Sequence, residues 1–210
     1  MAVLAPGLNL GRRAAALTVA ACALALTGCD RLGLGGTKPA FQAVDITGAQ
    51  YARELSLPDA DGRPRTLAEF KGQVVVVFFG FTQCPDVCPT TLGELAEAKR
   101  LLGADGARVR GVFVSVDPER DTPEILRAYV AAFDPGFVAL RGTAEQTLAA
   151  AREFKIYFNK VPGKTPGSYT IDHTAGSYVF DASGRVRLFT RHGTGVPALV
   201  HDLKILLQEK

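Results

Sequence analysis

The sequence predicts an α/β fold, a central mixed sheet flanked by helices, with a strand extension on its N-terminal side. Three observations carry this. Gln73–Phe81 is an apolar run dominated by Val and Phe, the pattern of a strand buried on both faces. Arg110–Val116 repeats that pattern beyond a helical stretch, and strands alternating with helices imply parallel pairing. Gly176–Phe180 and Val186–Arg191 are joined by Asp181-Ala182-Ser183-Gly184, a hairpin signal that adds antiparallel strands.

The elements follow in order. Glu54 to Leu57 reads as a short strand, Asp59-Ala60-Asp61-Gly62 as a turn, and Thr66-Leu67 leads to Phe70-Lys71-Gly72 before the first central strand. Pro89–Leu102 reads as a helix whose apolar face is Leu92, Leu95, Ala96, Leu101 and Leu102. After the second central strand, Thr122 is a good N-cap and Pro123 suits the first helical position, with the helix running to about Phe133. Thr143-x-x-Gln146 is a capping box for a helix reaching about Phe154. Tyr157 to Thr174 holds Pro162, Gly163, Pro166 and Gly167 and reads as a long loop, and long loops in compact domains are often functional. Pro197–Leu207 is the last helix. This order, with two cysteines at the first strand–helix junction, is similar to a thioredoxin fold.

The N-terminus reads as a targeting segment. Arg12-Arg13 form a basic patch, and Ala14–Leu26 is an apolar run of 13 residues, short of the about 20 needed to cross a bilayer as a helix. It ends in Leu26-Thr27-Gly28-Cys29, which resembles a bacterial lipobox, with Cys29 as the acylated residue. The expected organisation is a lipoprotein signal peptide over 1–28, a lipidated tether over 29–46 and the folded domain over 47–210. An uncleaved anchor is the alternative, and both readings put the domain outside the cytoplasm. The formal net charge is +3, and removing Arg12 and Arg13 with the leader leaves 22 basic against 21 acidic residues. Nothing here is a nucleic-acid footprint, which needs clustered positive charge.

Cys22 belongs to the leader and Cys29 to the lipobox, so Cys84 and Cys88 remain for chemistry. They flank Pro85-Asp86-Val87. Cysteines four apart on a first helical turn project to one side, about 6 Å apart at Cα. That spacing is compatible with a disulfide and with two thiolates converging on one ion. A helix N-terminus favours the thiolate. Redox cycling and metal binding both stay open on spacing alone. His173, at the end of the long loop, would complete a Cys2His set, suited to copper or zinc. A structural zinc site wants four protein ligands, and no further cysteine is available. Met1 is the only methionine, so a methionine-cluster copper carrier is excluded. His192 and His201 read as structural. Asp86 and Asp172 could support the site or serve turns and caps. Phe78, Phe79 and Phe81 read as core or site wall, and Asp117-Pro118-Glu119-Arg120-Asp121 as a solvated loop leading into a helix.

Three blocks carry a family resemblance. Phe79-Gly80-Phe81-Thr82-Gln83-Cys84-Pro85-Asp86-Val87-Cys88-Pro89-Thr90-Thr91-Leu92, Val114-Ser115-Val116-Asp117-Pro118-Glu119-Arg120-Asp121-Thr122-Pro123 and Asp172-His173-Thr174 closely resemble the Sco/SenC signature. The resemblance runs from about Ala49 to Leu207. It implies a thioredoxin-like domain binding one copper ion, Cu(I) or Cu(II), through Cys84, Cys88 and His173. The implied role is a chaperone for the binuclear copper centre of cytochrome c oxidase. Implied partners are the oxidase subunit that carries this centre, a periplasmic copper donor and a thioredoxin-like reductant. Such a protein is not an enzyme in the ordinary sense. The alternative is a thiol-disulfide oxidoreductase acting on the oxidase subunit or other exported proteins, with Cys84 and Cys88 as its redox pair. A peroxide reductase is disfavoured, because both cysteines sit in one short motif. With the lipobox, the expected location is the bacterial cell envelope, at the periplasmic face of the inner membrane.

Overall fold

The computed structural model describes residues 40–209, so the leader, Cys29 and the first part of the tether lie outside the described residues. The strands are β1 (Val44–Asp45), β2 (Ser56–Pro58), β3 (Pro64–Thr66), β4 (Val74–Gly80), β5 (Val109–Ser115), β6 (Val138–Leu140), β7 (Phe158–Pro162), β8 (Tyr169–His173), β9 (Gly176–Phe180) and β10 (Val186–Arg191). The helices are α1 (Val87–Leu101), α2 (Pro123–Ala131), α3 (Ala144–Glu153) and α4 (Val196–Gln208). Six strands form one sheet in the order β1-β10-β9-β4-β5-β6. Pairing is parallel across β4-β5-β6 and antiparallel through β9, β10 and β1. This mixed sheet flanked by helices is the thioredoxin-like architecture the sequence predicts.

The central strand β4 is dry because its sequence has no polar side chain to solvate. All seven residues of β4 are buried. Val76 and Phe78 face Leu92 and Leu95 of α1 and Leu199 of α4. Phe79 points the other way, its ring 5.1 Å from that of Phe154 at the end of α3. Each fully buried Val or Phe contributes about 1.5–3 kcal/mol, so burial holds β4 firmly in the sheet. The helix signals act as read. Thr122 Oγ1 accepts from the Ile125 N–H at 3.3 Å. Thr143 and Gln146 cap each other reciprocally at 3.2 and 2.9 Å.

Four boundaries differ from the sequence reading. The tether was expected to reach residue 46, but the Gln42 and Ala43 N–H groups donate to the buried Asp202 carboxylate at 2.8 Å each, and β1 pairs with β10. Two residues are too few to show a strand period. The 157–174 stretch is no loop but the β7–β8 hairpin, with Phe158 opposite His173 and Pro162 opposite Tyr169. Its Pro and Gly residues punctuate the turn. β3, which pairs with β2, and β6 on the sheet edge are three-residue strands without a readable pattern. Helix α1 begins at Val87, two residues before Pro89, which puts Cys84 ahead of the helix.

Candidate metal centre

The site forms where β4 ends and α1 begins. The Cys84 N–H donates to the Phe81 carbonyl at 3.2 Å, turning the chain back towards the sheet. The Asp86 side chain, at the N-cap position of α1, makes no cap bond. The Cys84 sulfur takes that role, accepting the Cys88 N–H at 3.3 Å. A sulfur held by N–H groups at a helix start is stabilised as thiolate. Pro89 falls in the first helical turn, where no N–H is needed.

Beneath the loop, Gly80 makes room for the second sulfur. A Cβ there would lie 2.7 Å from Cys88 Sγ and 2.9 Å from the rings of Phe78 and Phe113. Cys88 is fully buried and Cys84 half-buried. They are free thiols.

His173 closes β8 and reaches back over the pair. Its imidazole lies edge-on to Phe78 and Phe81, 5.9 Å from each ring centre. Nδ1 lies 3.2 Å from the Thr174 carbonyl, an acceptor only, so Nδ1 carries the proton there. That leaves the Nε2 lone pair aimed at Cys88 Sγ, 3.5 Å away. The ligand atoms of Cys84, Cys88 and His173 all lie within 4.8 Å of one another, the one such trio among the described residues. The structure brings all three predicted site residues together. His192 and His201 stand apart: His192 Nδ1 is 3.3 Å from Thr91 Oγ1, and His201 Nδ1 is 2.9 Å from Asp202. Asp86 takes a 3.2 Å bond from Thr90, and Asp172 is exposed on β8.

The two thiols are electrostatically unequal. The hydrogen bond from Cys88 lowers the Cys84 thiol to about 5; burial opposes this, while the Cys88 and Asp86 N–H groups assist. The same hydrogen bond, and then burial, push Cys88 far above an ordinary thiol. The half-buried Cys84 is therefore the sulfur that favours the thiolate, and the buried Cys88 the one that favours keeping its proton.

The acidic loop after β5 departs from its sequence reading. It is not solvated: Asp117 is 1% and Asp121 0% exposed. Asp121 accepts from Thr82 Oγ1 and Ser115 Oγ at 2.6 Å each, and from the Thr82 N–H at 3.2 Å, tying the cysteine loop to the end of β5. Burial raises its carboxyl above the usual range, with the Ser115 and Thr82 bonds pulling back. Asp117 accepts from the Tyr169 hydroxyl at 2.8 Å and from Arg120 Nε. Two carboxylates four apart give no burial signal; only their place in a motif block singles them out.

The chain matches the model of the SCO1/SenC family over residues 44–208. It belongs to the SCO1/SenC family. Among family members, the mitochondrial SCO2 homologue of Bos taurus is 36% identical over 181 residues, covering 80% of this chain and 67% of that one. The SCO2-like protein of Rickettsia felis is 35% identical, covering 63% of this chain and 65% of its own length. The match spans 53–67% of the mammalian SCO2 homologues. Among solved Sco structures, Bradyrhizobium japonicum ScoI with copper bound is 38% identical, covers 73% of this chain and 97% of its own and has a TM-score of 0.66. Apo Sco1 of Thermus thermophilus is 38% identical with a TM-score of 0.71, covering 80% of this chain and 97% of its own.

Proposed function

We propose that this chain is a copper chaperone. It holds one copper ion, Cu(I) or Cu(II), between Cys84, Cys88 and His173, and supplies it to the copper-centre subunit of cytochrome c oxidase during assembly. The carrying observation is the convergence of two thiols and one imidazole within 4.8 Å, in a family with a copper-bound solved member at 38% identity. Two sulfurs and an imidazole are a soft donor set that suits copper.

The chain's own groups prepare the site. Cys84 offers a thiolate, and the Thr174 carbonyl keeps the His173 Nε2 lone pair available. Cys88 must give up its proton when a metal coordinates it. The ion thus replaces the proton on Cys88, and loading near pH 7 releases about one proton per ion. Phe78 and Phe81 pack against the imidazole and fix its orientation.

The asymmetry of the thiols favours a second reading, thiol-disulfide exchange. Cys84 thiolate attacks a target disulfide, forming a mixed disulfide and expelling one target thiolate. Cys88 then loses its proton, attacks Cys84 and expels the second. Two electrons pass to the target, and Cys84 and Cys88 end as a disulfide. Copper titration of the chain from Thr37 onward, with thiols reduced, separates the readings. Under the copper reading, one ion binds per chain with a thiolate-to-copper charge-transfer band, and Cys84→Ala, Cys88→Ala and His173→Ala each weaken it. No stoichiometric copper, with disulfide reduction surviving His173→Ala, would establish the second.

The same proposal makes Cys29 the acylated residue and the periplasmic face of the inner membrane the location, on the strength of Leu26-Thr27-Gly28-Cys29. A copper donor and a thioredoxin-like reductant complete the partners. Mass spectrometry of the mature chain tests the anchor, and an unmodified Cys29 would refute it.

A further inference from the structure

We infer that Arg120 is a positioning residue for the metal centre: it latches the hairpin bearing His173 onto the cysteine loop and so sets how long a metal ion is retained. This rests on the reading of Cys84, Cys88 and His173 as copper ligands. The halves of that ligand set come from elements far apart in sequence, and Arg120 joins them. Its Nη1 donates to Gln83 Oε1 at 3.0 Å, beside Cys84, and to the Tyr169 carbonyl at 2.8 Å, on the strand that ends in His173. Its Nε donates to buried Asp117, whose other oxygen takes the Tyr169 hydroxyl at 2.8 Å. The guanidinium lies 3.7 Å from the Tyr169 ring centre and 5.8 Å from that of Phe81, the ring against which His173 packs.

The other ties of the hairpin are less directional or more exposed. Along β8, Tyr169, Ile171 and His173 share the inward face and Thr170 and Asp172 are exposed. Ile171 is buried and adds adhesion without direction. Lys160 meets Glu119 at 2.6 Å, but both are solvent-exposed, where an ion pair is worth little. Arg120 is four-fifths buried along its side chain, and stacking plus hydrogen bonding is strengthened by such burial. Only a planar guanidinium can stack on Tyr169 and reach three acceptors at once; lysine cannot.

The test has two arms. The first needs no copper: amide hydrogen exchange across β8 in the full reduced chain. Arg120→Met should lose protection over Tyr169–His173 while β4 and β5 keep theirs, and Tyr169→Phe, which keeps the stack and drops one bond, should lose less. The second arm follows transfer of Cu(I) to a chromophoric chelator. Release from Arg120→Met should be about tenfold faster than from wild type, the equivalent of ~1.4 kcal/mol. In a His173→Ala background the same substitution should add nothing. Unchanged β8 protection, unchanged release, or an undiminished effect without His173 would each overturn the latch. Should Arg120→Met fail to fold, the same comparisons with Tyr169→Phe decide, at about threefold. Wild type that binds no copper, with β8 protection still lost in Arg120→Met, overturns the copper reading and leaves the docking of the hairpin intact.

Discussion

Adding one methyl group at Gly80 should test how tightly the metal centre is packed. The Cβ of Gly80→Ala would sit 2.7 Å from Cys88 Sγ and 2.9 Å from both Phe78 and Phe113. None of the three can yield freely: all are at most 2% exposed, and β4 is hydrogen-bonded on both sides. Overpacking of this kind costs about 1–3 kcal/mol. The φ of Gly80 is not in the left-handed region, so the substitution also stabilises, by restricting the unfolded chain, by about 0.4–1 kcal/mol. The clash wins, leaving a net loss of ~1–2 kcal/mol. With a urea m-value of about 2 kcal/mol/M, the midpoint should fall by ~0.5–1 M at unchanged m. Under the copper reading, affinity should fall as well, since Cys88 Sγ would be a ligand and Phe78 packs against His173. The double variant Gly80→Ala with Cys88→Ala removes one of the three clashes, so its loss of stability should be smaller than the sum of the single losses. An unshifted midpoint with intact copper binding, or strict additivity in the cycle, would refute the packing argument.

Four other outcomes are expected. Alkylation of Cys84 in the reduced protein should rise through about pH 5 and be flat from pH 6 to 8, because the Cys88 hydrogen bond keeps it ionised; a rate still climbing at pH 8 contradicts this. By linkage, the folded chain sheds that proton near pH 5 and the unfolded chain near 9, so this group's contribution to stability grows with pH across that window and disappears below pH 5. A denaturation series from pH 4 to 8 should show the rise against Cys84→Ser. Asp121→Ala strands the Thr82 and Ser115 donors and should cost about 2–5 kcal/mol with loss of copper affinity; urea melts and copper titration check it. Asp202→Ala strands two N–H groups and should cost about 1–3 kcal/mol, with new protease cleavage between residues 41 and 46.

Much of this was legible in the chain, for identifiable reasons. β4 and β5 announce themselves because burial on both faces demands long apolar runs. The caps at Thr122 and Thr143 are local chemistry and need no tertiary information. Cys84, Cys88 and His173 were singled out by thiol spacing and by the family resemblance, and the structure brings their ligand atoms within 4.8 Å of one another. The rest depends on neighbours. β1 and β6 are strands because a longer partner offers them an edge, and their residues do not say so. Asp117 and Asp121 read as solvated because charge normally is; they are buried because Thr82 and Tyr169, from distant segments, join Ser115 and Arg120 around them. The β7–β8 hairpin was hidden by its own Pro and Gly residues, which mark a turn as readily as a loop.

One further consequence follows from the small strand β1. Val44 pairs with Phe189, and Thr190, Ser177 and Phe78 share one level across the sheet. The chain thus joins the sheet at the end where β4 stops and the cysteines begin, three strand spacings or roughly 15 Å to the side. Glu209, by contrast, is paired to Arg187, towards the opposite end. A bulky label fused ahead of Phe41 starts on the cysteine-bearing rim and competes with any incoming partner for the same solvent. A label placed after the last helix leaves that rim clear, which makes the carboxyl terminus the side from which to tag, immobilise or pull this molecule.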